Sequence, residues 1–261
     1  MIKAVLIDLS GTLHVGDAAI VGAQAALKKL RETGVLIRFV TNTTKESRNI
    51  LFNRLTKLGF ELQKEEMHSS LIAAKSVIES NNLKPFYLLE NEAMEDFKDL
   101  IPANPNDINA VVVGLAPSQF HYDKMNEAFR YLLNGAKLIA IHEGKYYKTE
   151  DGLLSLGPGC FVKGLEYSAQ CKAEVVGKPK PNIFRSALLD IKPQDAIMIG
   201  DDVKDDIKGA MDAGLQGFLV QTGKYRAGDE NTITPKPTAV CKSFVEAVEL
   251  IISEINQKNC S

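Results

Sequence analysis

Ala4-Val5-Leu6-Ile7-Asp8-Leu9-Ser10-Gly11-Thr12-Leu13 is the stretch that decides how the chain is built. Four consecutive apolar residues read as a short strand buried on both faces, the habit of a parallel sheet covered by helices. A carboxylate follows at once, and the Gly-Thr turn behind it ends the strand. In an open α/β sheet ligands bind outside the carboxyl ends of the strands, so Asp8 stands where a side chain can meet a substrate phosphate. Alone, an Asp before a Gly turn is equally a common turn cap.

The same rhythm extends from this strand along the chain. Ile20, Ala23, Leu27 and Leu30 recur at helical spacing, and Gly34 is placed to end that helix. Leu36-Ile37-Arg38-Phe39-Val40 reads as a second strand, and Thr43-Thr44-Lys45-Glu46 matches a capping box that predicts a helix from there to Gly59. A helical stretch at 73–78 is followed by strands near 86–89, 110–113 and 138–141, with a helix at 125–133. Gly157-Pro158-Gly159 breaks the chain before a helix to about residue 168. A helix after Pro181, a strand at 196–199, a helix ending at Ala213-Gly214, a strand at 217–220 and a helix capped near Ser243 complete the pattern. These elements predict an α/β fold with a Rossmann-like parallel-sheet core in two parts, 1–79 and 175–261. A second α/β domain is inserted between them at 80–174.

Composition narrows the function classes. The 261 residues are 45% hydrophobic and 25% charged, an ordinary soluble balance, and 33 acidic against 31 basic residues give a net charge of -2. No basic surplus is present to grip nucleic acid or an anionic membrane. No apolar run approaches the roughly 18 residues that span a bilayer, and the run before Asp8 is too short for a signal peptide. Cys160, Cys171, Cys241 and Cys260 form no C-x-x-C pair, which suits reduced thiols and predicts a cytoplasmic protein. His14, His68, His121 and His142 are scattered, which favours ordinary structural roles over metal ligation; His14, nearest the Asp8 turn, is not expected to touch substrate. Gly157-Pro158-Gly159 lacks the third glycine of a dinucleotide fingerprint, and no P-loop is present, which excludes a nucleotide-cofactor oxidoreductase.

Two further strand ends carry reactive side chains. Val40-Thr41-Asn42-Thr43 offers a hydroxyl and an amide beside the N–H groups of a helix start, which suits a phosphate oxygen or simply an N-cap. Gly177-Lys178-Pro179 opens a helix, and Ile199-Gly200-Asp201-Asp202 closes a strand, with Asp205 and Asp206 a few residues on. Clustered carboxylates on such a loop call for a positive partner, a hard divalent cation being the natural one, unless the loop is merely solvated.

Taken in order, Asp-x-x-Gly-Thr-Leu, Thr-Asn, Gly-Lys-Pro and Gly-Asp-Asp resemble the four motifs of the haloacid dehalogenase superfamily. The Thr41-Asn42 form of the second motif and the insertion before Lys178 resemble its NagD-like branch, which carries a large α/β cap. Glu174-Val175-Val176-Gly177-Lys178-Pro179 and Thr222-Gly223-Lys224-Tyr225-Arg226 strengthen that likeness. The resemblance implies a Mg²⁺-dependent phosphohydrolase acting on a small phosphorylated molecule, with the cap closing over the site and a homodimer as a family-level expectation.

It also implies roles. Asp8 is the nucleophile that becomes an aspartyl phosphate; Asp8, the backbone carbonyl of Ser10 and Asp201 hold Mg²⁺. Thr41 and Asn42 bind phosphoryl oxygens, Lys178 neutralises charge, and Asp206, or else Asp202 or Asp205, supports Lys178 or a metal-bound water. One departure stands out: most phosphatases of the superfamily have Asp where this chain has Ser10. A serine is a poor proton donor and acceptor, and general acid–base help is worth ~10²–10⁴ in rate. The expected substrates are therefore activated phosphates (pyrophosphate, acyl phosphate or P–N bonds), with a weakly active or inactive phosphate-binding protein as the alternative. A dehalogenase, which needs no Mg²⁺ cluster, fits the acidic Asp201 loop less well.

Overall fold

The computed structural model describes residues 1–148 and 153–259, so Cys260 lies outside the described residues. The chain forms two compact units, one of Met1–Thr41, Phe52–His68 and Lys178–Ser261, the other of Asn42–Leu51 and Ser69–Gly177.

The first unit is built on a six-stranded sheet in the order Ala239–Cys241, Gln216–Val220, Ala196–Gly200, Ala4–Ile7, Leu36–Thr41, Met67–Ser69. The Ala4–Ile7 strand is central and pairs in parallel on both sides, Ala4 facing Ala196 in one ladder and Leu36 in the other. Its four residues have no exposed surface, as the continuous apolar run requires. Leu6, Val40 and Met198 pack on one face against Ile183, Phe184 and Ala187 of the Pro181–Ala187 helix. The helices Ala23–Glu32 and Phe244–Asn259 pack against each other and bury Leu27, Leu30, Phe244 and Ile251. Each such side chain contributes roughly 1.5–3 kcal/mol by leaving water. The α/β class and the parallel core agree with the sequence reading.

The second unit holds a parallel four-stranded sheet in the order Glu174–Val175, Lys137–Ala140, Ala110–Val113, Pro85–Leu88. Leu71, Ala74 and Ile78 of the Ser70–Ser80 helix join Val112, Ile139 and Phe97 in one apolar cluster. Leu132, Val162 and Leu165, from the helices Tyr122–Leu133 and Gly159–Ala169, join Val111 and Val113 in another. The Ser70–Ser80 helix thus belongs with this sheet, and the unit extends beyond residues 80–174 by residues 42–51, 69–79 and 175–177.

The helix expected from Thr43 begins instead at Arg48. Thr44 Oγ1 is engaged elsewhere, accepting the Leu115 N–H at 3.1 Å, while Ser47 Oγ accepts the Ile50 N–H at 3.3 Å and donates to Glu95 at 2.5 Å. Ser47 therefore supplies the side-chain cap that the Thr-x-x-Glu pattern assigns to Thr43. Two short antiparallel hairpins, His14–Val15 with Ala18–Ala19 and Tyr146–Lys148 with Leu154–Leu156, were not among the expected elements. Among the described residues no helix is long and apolar enough to cross a membrane.

Candidate active site

Three strands of the first unit deliver the site at their carboxyl ends. Asp8 follows the central strand, and its N–H still bonds the Ile199 carbonyl at 2.9 Å, so its backbone is fixed by the neighbouring strand. Thr41 ends the strand on one side and Asp201 follows the strand on the other. Adjacent parallel strands in register bring three residues far apart in sequence to one edge.

Lys178 enters this edge at the start of the second core segment and is 3% exposed. Its ammonium donates to Asp8 Oδ1 at 2.6 Å, to Asp206 Oδ1 at 2.6 Å and to the Val40 carbonyl at 2.9 Å, so all three protons are placed. Burial alone would make this lysine easier to deprotonate; the Asp206 and Asp8 carboxylates outweigh it, and Lys178 holds its proton more firmly than an ordinary lysine.

Asp8, Asp201 and Asp206 are all buried and each offers an oxygen within 4.8 Å of the others. Burial, then the charge of Asp8, pushes the Asp201 carboxyl up to about 7. Asp206 is also raised well above its ordinary value: burial dominates, Lys178 pulls the other way, and Asp8 and Asp201 add repulsion. Three carboxylates around one ammonium leave an excess of negative charge, which a small hard cation with oxygen ligands would neutralise. The donor set therefore fits Mg²⁺.

The local backbone explains why Asp206 is the partner of Lys178. Residues Val203–Lys208 form a single π-helical segment, an uncommon geometry that recurs at functional sites. Asp202 caps it, its Oδ1 accepting the Lys204 and Asp205 N–H groups at 3.0 Å each. Asp206 turns back over the strand end, and its Oδ2 accepts the Asp202 N–H at 3.0 Å. Gly200 makes room: a Cβ there would lie 2.4 Å from Asp206 Cβ and Cγ. Burial raises Asp202 too, but the Lys224 ammonium and the two capping N–H groups leave it below its ordinary value. Asp205 stays outside the cluster, pushed up to about 6 by burial and then by Asp202.

The remaining expected residues lie as follows. Ser10 is exposed and forms an isolated bridge with His14, whose carbonyl accepts the Gly11 N–H at 2.7 Å. Thr41 is 2% exposed at its strand end, while Asn42, the next residue, falls in the second unit. His14 is buried in its hairpin with Nδ1 2.8 Å from the Gly16 carbonyl, a structural placement. Cys160, Cys171 and Cys241 are free thiols.

Sequence reasoning gave no role to Gly200, the Val40 carbonyl, or Thr12, whose hydroxyl lies 3.4 Å from Asp8 Oδ2. The Thr222-Gly223-Lys224 loop was also given none, although its position after a strand at the same sheet edge was a readable signal. Lys224 pairs with Asp202 at 3.2 Å, and burial is outweighed there by Asp202, so its ammonium is held more firmly than usual.

Comparison with known proteins agrees with this geometry. A model described as haloacid dehalogenase-like hydrolase matches residues 5–100, and a second, HAD-hydrolase-like, matches residues 175–247. Human haloacid dehalogenase-like hydrolase domain-containing protein 2 is 53% identical over 256 residues, covering 97% of each chain. Human phospholysine phosphohistidine inorganic pyrophosphate phosphatase is 35% identical over 98% of this chain and 96% of its own. Among solved structures, glycerol phosphate phosphatase from Mycobacterium tuberculosis in complex with magnesium superposes with a TM-score of 0.82 at 26% identity, over 93% of this chain and 75% of that one. The chain belongs to the haloacid dehalogenase-like hydrolase family.

Proposed function

We propose that the chain is a Mg²⁺-dependent phosphatase that acts through an aspartyl phosphate on Asp8 and prefers activated phosphates. The observation that carries this reading is the placement of Asp8: a buried carboxylate at the end of the central strand, 2.6 Å from a buried ammonium and grouped with Asp201 and Asp206.

In the first step an Asp8 oxygen attacks phosphorus and the bond to the leaving group breaks, its electrons departing with that group. In the second, water attacks the aspartyl phosphate, releasing inorganic phosphate and restoring the carboxylate. Lys178 faces both the nucleophile and Asp206, so charge that develops on the transferring group meets a fixed cation rather than reorganising water. Asp206 orients Lys178. Thr41 and Asn42 are assigned to the phosphoryl oxygens. Asp8, the Ser10 carbonyl and Asp201 are assigned to Mg²⁺, which when bound supplies Lewis-acid neutralisation of phosphate charge. The second unit is assigned the role of a substrate-selecting cap.

Ser10 sets the substrate class. With no carboxylic acid at that position, the leaving group departs without strong protonation, which favours anhydride, acyl-phosphate and P–N bonds over alkyl esters. The human relative named as a phospholysine, phosphohistidine and pyrophosphate phosphatase supports this preference. Ser10 also supports a second reading, a phosphate-binding protein with little turnover.

The test is Mg²⁺-dependent phosphate release from pyrophosphate, acetyl phosphate, a phosphoramidate and an alkyl phosphate. Wild type cleaves the activated compounds, Asp8→Asn is inactive, and Ser10→Asp gains on the alkyl ester. Equal phosphate release by wild type and Asp8→Asn on every compound would sink the phosphatase reading. A wide preference of wild type for the alkyl ester would sink the argument from Ser10.

A further inference from the structure

The loop at Thr222–Lys224 is built as though its shape mattered. It leaves the Gln216–Val220 strand and is anchored on its outer side: the Gln221 N–H donates to the Cys241 carbonyl at 2.9 Å and the Tyr225 N–H to the Thr222 carbonyl at 3.1 Å. The Tyr225 side chain packs on the cluster of Val203, Ile207, Leu219 and Ile233. Its hydroxyl accepts from Gln221 at 3.0 Å and donates to Glu230 at 2.9 Å.

On its inner side the same loop meets two elements of the active site. Thr222 Oγ1 donates to the Gly11 carbonyl at 2.5 Å, and the Lys224 N–H donates to Asp201 Oδ2 at 2.6 Å. Gly223 lies between them with φ +57, and a Cβ there would come 2.1 Å from Asp201 Oδ2 and 2.4 Å from Gly11 Cα. Gly11, at φ +94, closes on the same carboxylate, its Cβ position lying 2.1 Å from Oδ2. Two glycines and a backbone N–H therefore converge on one oxygen of Asp201, and among the described residues Oδ1 takes no hydrogen bond.

We infer that Thr222, Gly223 and the Lys224 N–H form a positioning element for the metal site. They fix Asp201 by Oδ2 so that Oδ1 is presented to the cation, and through Gly11 they tie the turn that follows Asp8 to the same frame. This rests on the reading of Asp201 as a Mg²⁺ ligand. Hydrogen-bonding neighbours of metal ligands set ligand orientation, and losing one typically weakens metal affinity 10–100-fold. A side chain at residue 223 is excluded twice, by the positive φ and by the carboxylate behind it.

The experiment is Mg²⁺ titration of the full-length protein by calorimetry, without substrate, on wild type, Asp201→Asn, Thr222→Val, Thr222→Ser and Gly223→Ala. Thermal melting in EDTA shows which variants are folded. Asp201→Asn is expected to lose Mg²⁺ binding. Thr222→Val and Gly223→Ala are expected to weaken it by about 10–100-fold, and Thr222→Ser, which keeps the hydroxyl, to restore the wild-type affinity. If Asp201→Asn loses the metal while folded Thr222→Val or folded Gly223→Ala binds as wild type does, the positioning role is overturned. It is overturned equally if Thr222→Ser is as weak as Thr222→Val, because then the hydroxyl bond to Gly11 is not what matters. If Asp201→Asn itself binds Mg²⁺ normally, the assignment of the metal ligands fails first, and this inference falls with it.

Discussion

Replacing Lys178 with methionine keeps the length of the side chain and removes its charge. The native ammonium lies 2.6 Å from both Asp8 Oδ1 and Asp206 Oδ1, and Asp206 is 1% exposed, so water cannot take its place. The variant leaves two buried carboxylates without a counter-charge, a loss that costs about 3–5 kcal/mol. At ~2–4 °C per kcal/mol for a chain of this size, the melting temperature should fall by roughly 10 °C. The cost depends on pH in a definite direction. Burial already raises the Asp206 carboxyl well above its ordinary value and Lys178 pulls it back, so without Lys178 the deficit is small at acid pH and grows as pH rises and Asp206 is forced to ionise. Urea unfolding in EDTA, followed by circular dichroism, measures this for Lys178→Met, Asp206→Leu and the double variant. The double variant removes one of the stranded carboxylates, so it should be more stable than the sum of the two single changes predicts. A Lys178→Met protein within about 1 kcal/mol of wild type at pH 8, the range of a solvated surface pair, would refute the view that this lysine neutralises buried charge.

Mg²⁺ should stabilise the protein more at pH 8 than at pH 5. Asp201 is pushed up to about 7 from an ordinary 3.8, so metal-free stability is lost as pH rises through that window, by up to about 4 kcal/mol, and a bound cation restores it; equal Mg²⁺ shifts in melting temperature at both pH values would contradict this. Gly200→Ala should lower kcat/KM by about 10–100-fold, because a Cβ 2.4 Å from the Asp206 side chain displaces the group that orients Lys178; steady-state kinetics decides, and a near-normal rate would show that Asp206 has room to move. Phe184→Ala, in the core cluster beneath the sheet, should cost about 3–5 kcal/mol in urea unfolding while leaving Mg²⁺ affinity unchanged.

The parts of the fold legible in the sequence are those whose signal is local. Ala4–Ile7, Ala110–Val113 and Ala196–Gly200 announce themselves as unbroken apolar runs, because strands buried on both faces have no polar side. Met67–Ser69 and Glu174–Val175 do not, because two or three residues at or near a sheet edge carry no periodicity. Asp8, Lys178 and Asp201 were readable as strand-end and helix-start residues. The choice among Asp202, Asp205 and Asp206 was not, since the π-helical hydrogen bond from the Ile207 N–H to the Asp202 carbonyl sets which carboxylate turns inward. The capping box at Thr43 misled for a related reason: the helix is capped by Ser47, whose hydroxyl is held by Glu95, a partner 48 residues away in sequence.

The central strand also dictates when the protein can become itself. Lys178 and Asp8 are 170 residues apart, and Ala4 pairs with Ala196. A nascent chain emerging from the ribosome therefore holds its first apolar strand for most of its synthesis with one flank unpaired. Such a flank invites wrong pairing or association with other chains. Ordering that depends on so distant a partner is slow as well. The nucleophile gains its ammonium only after the second core segment has been made.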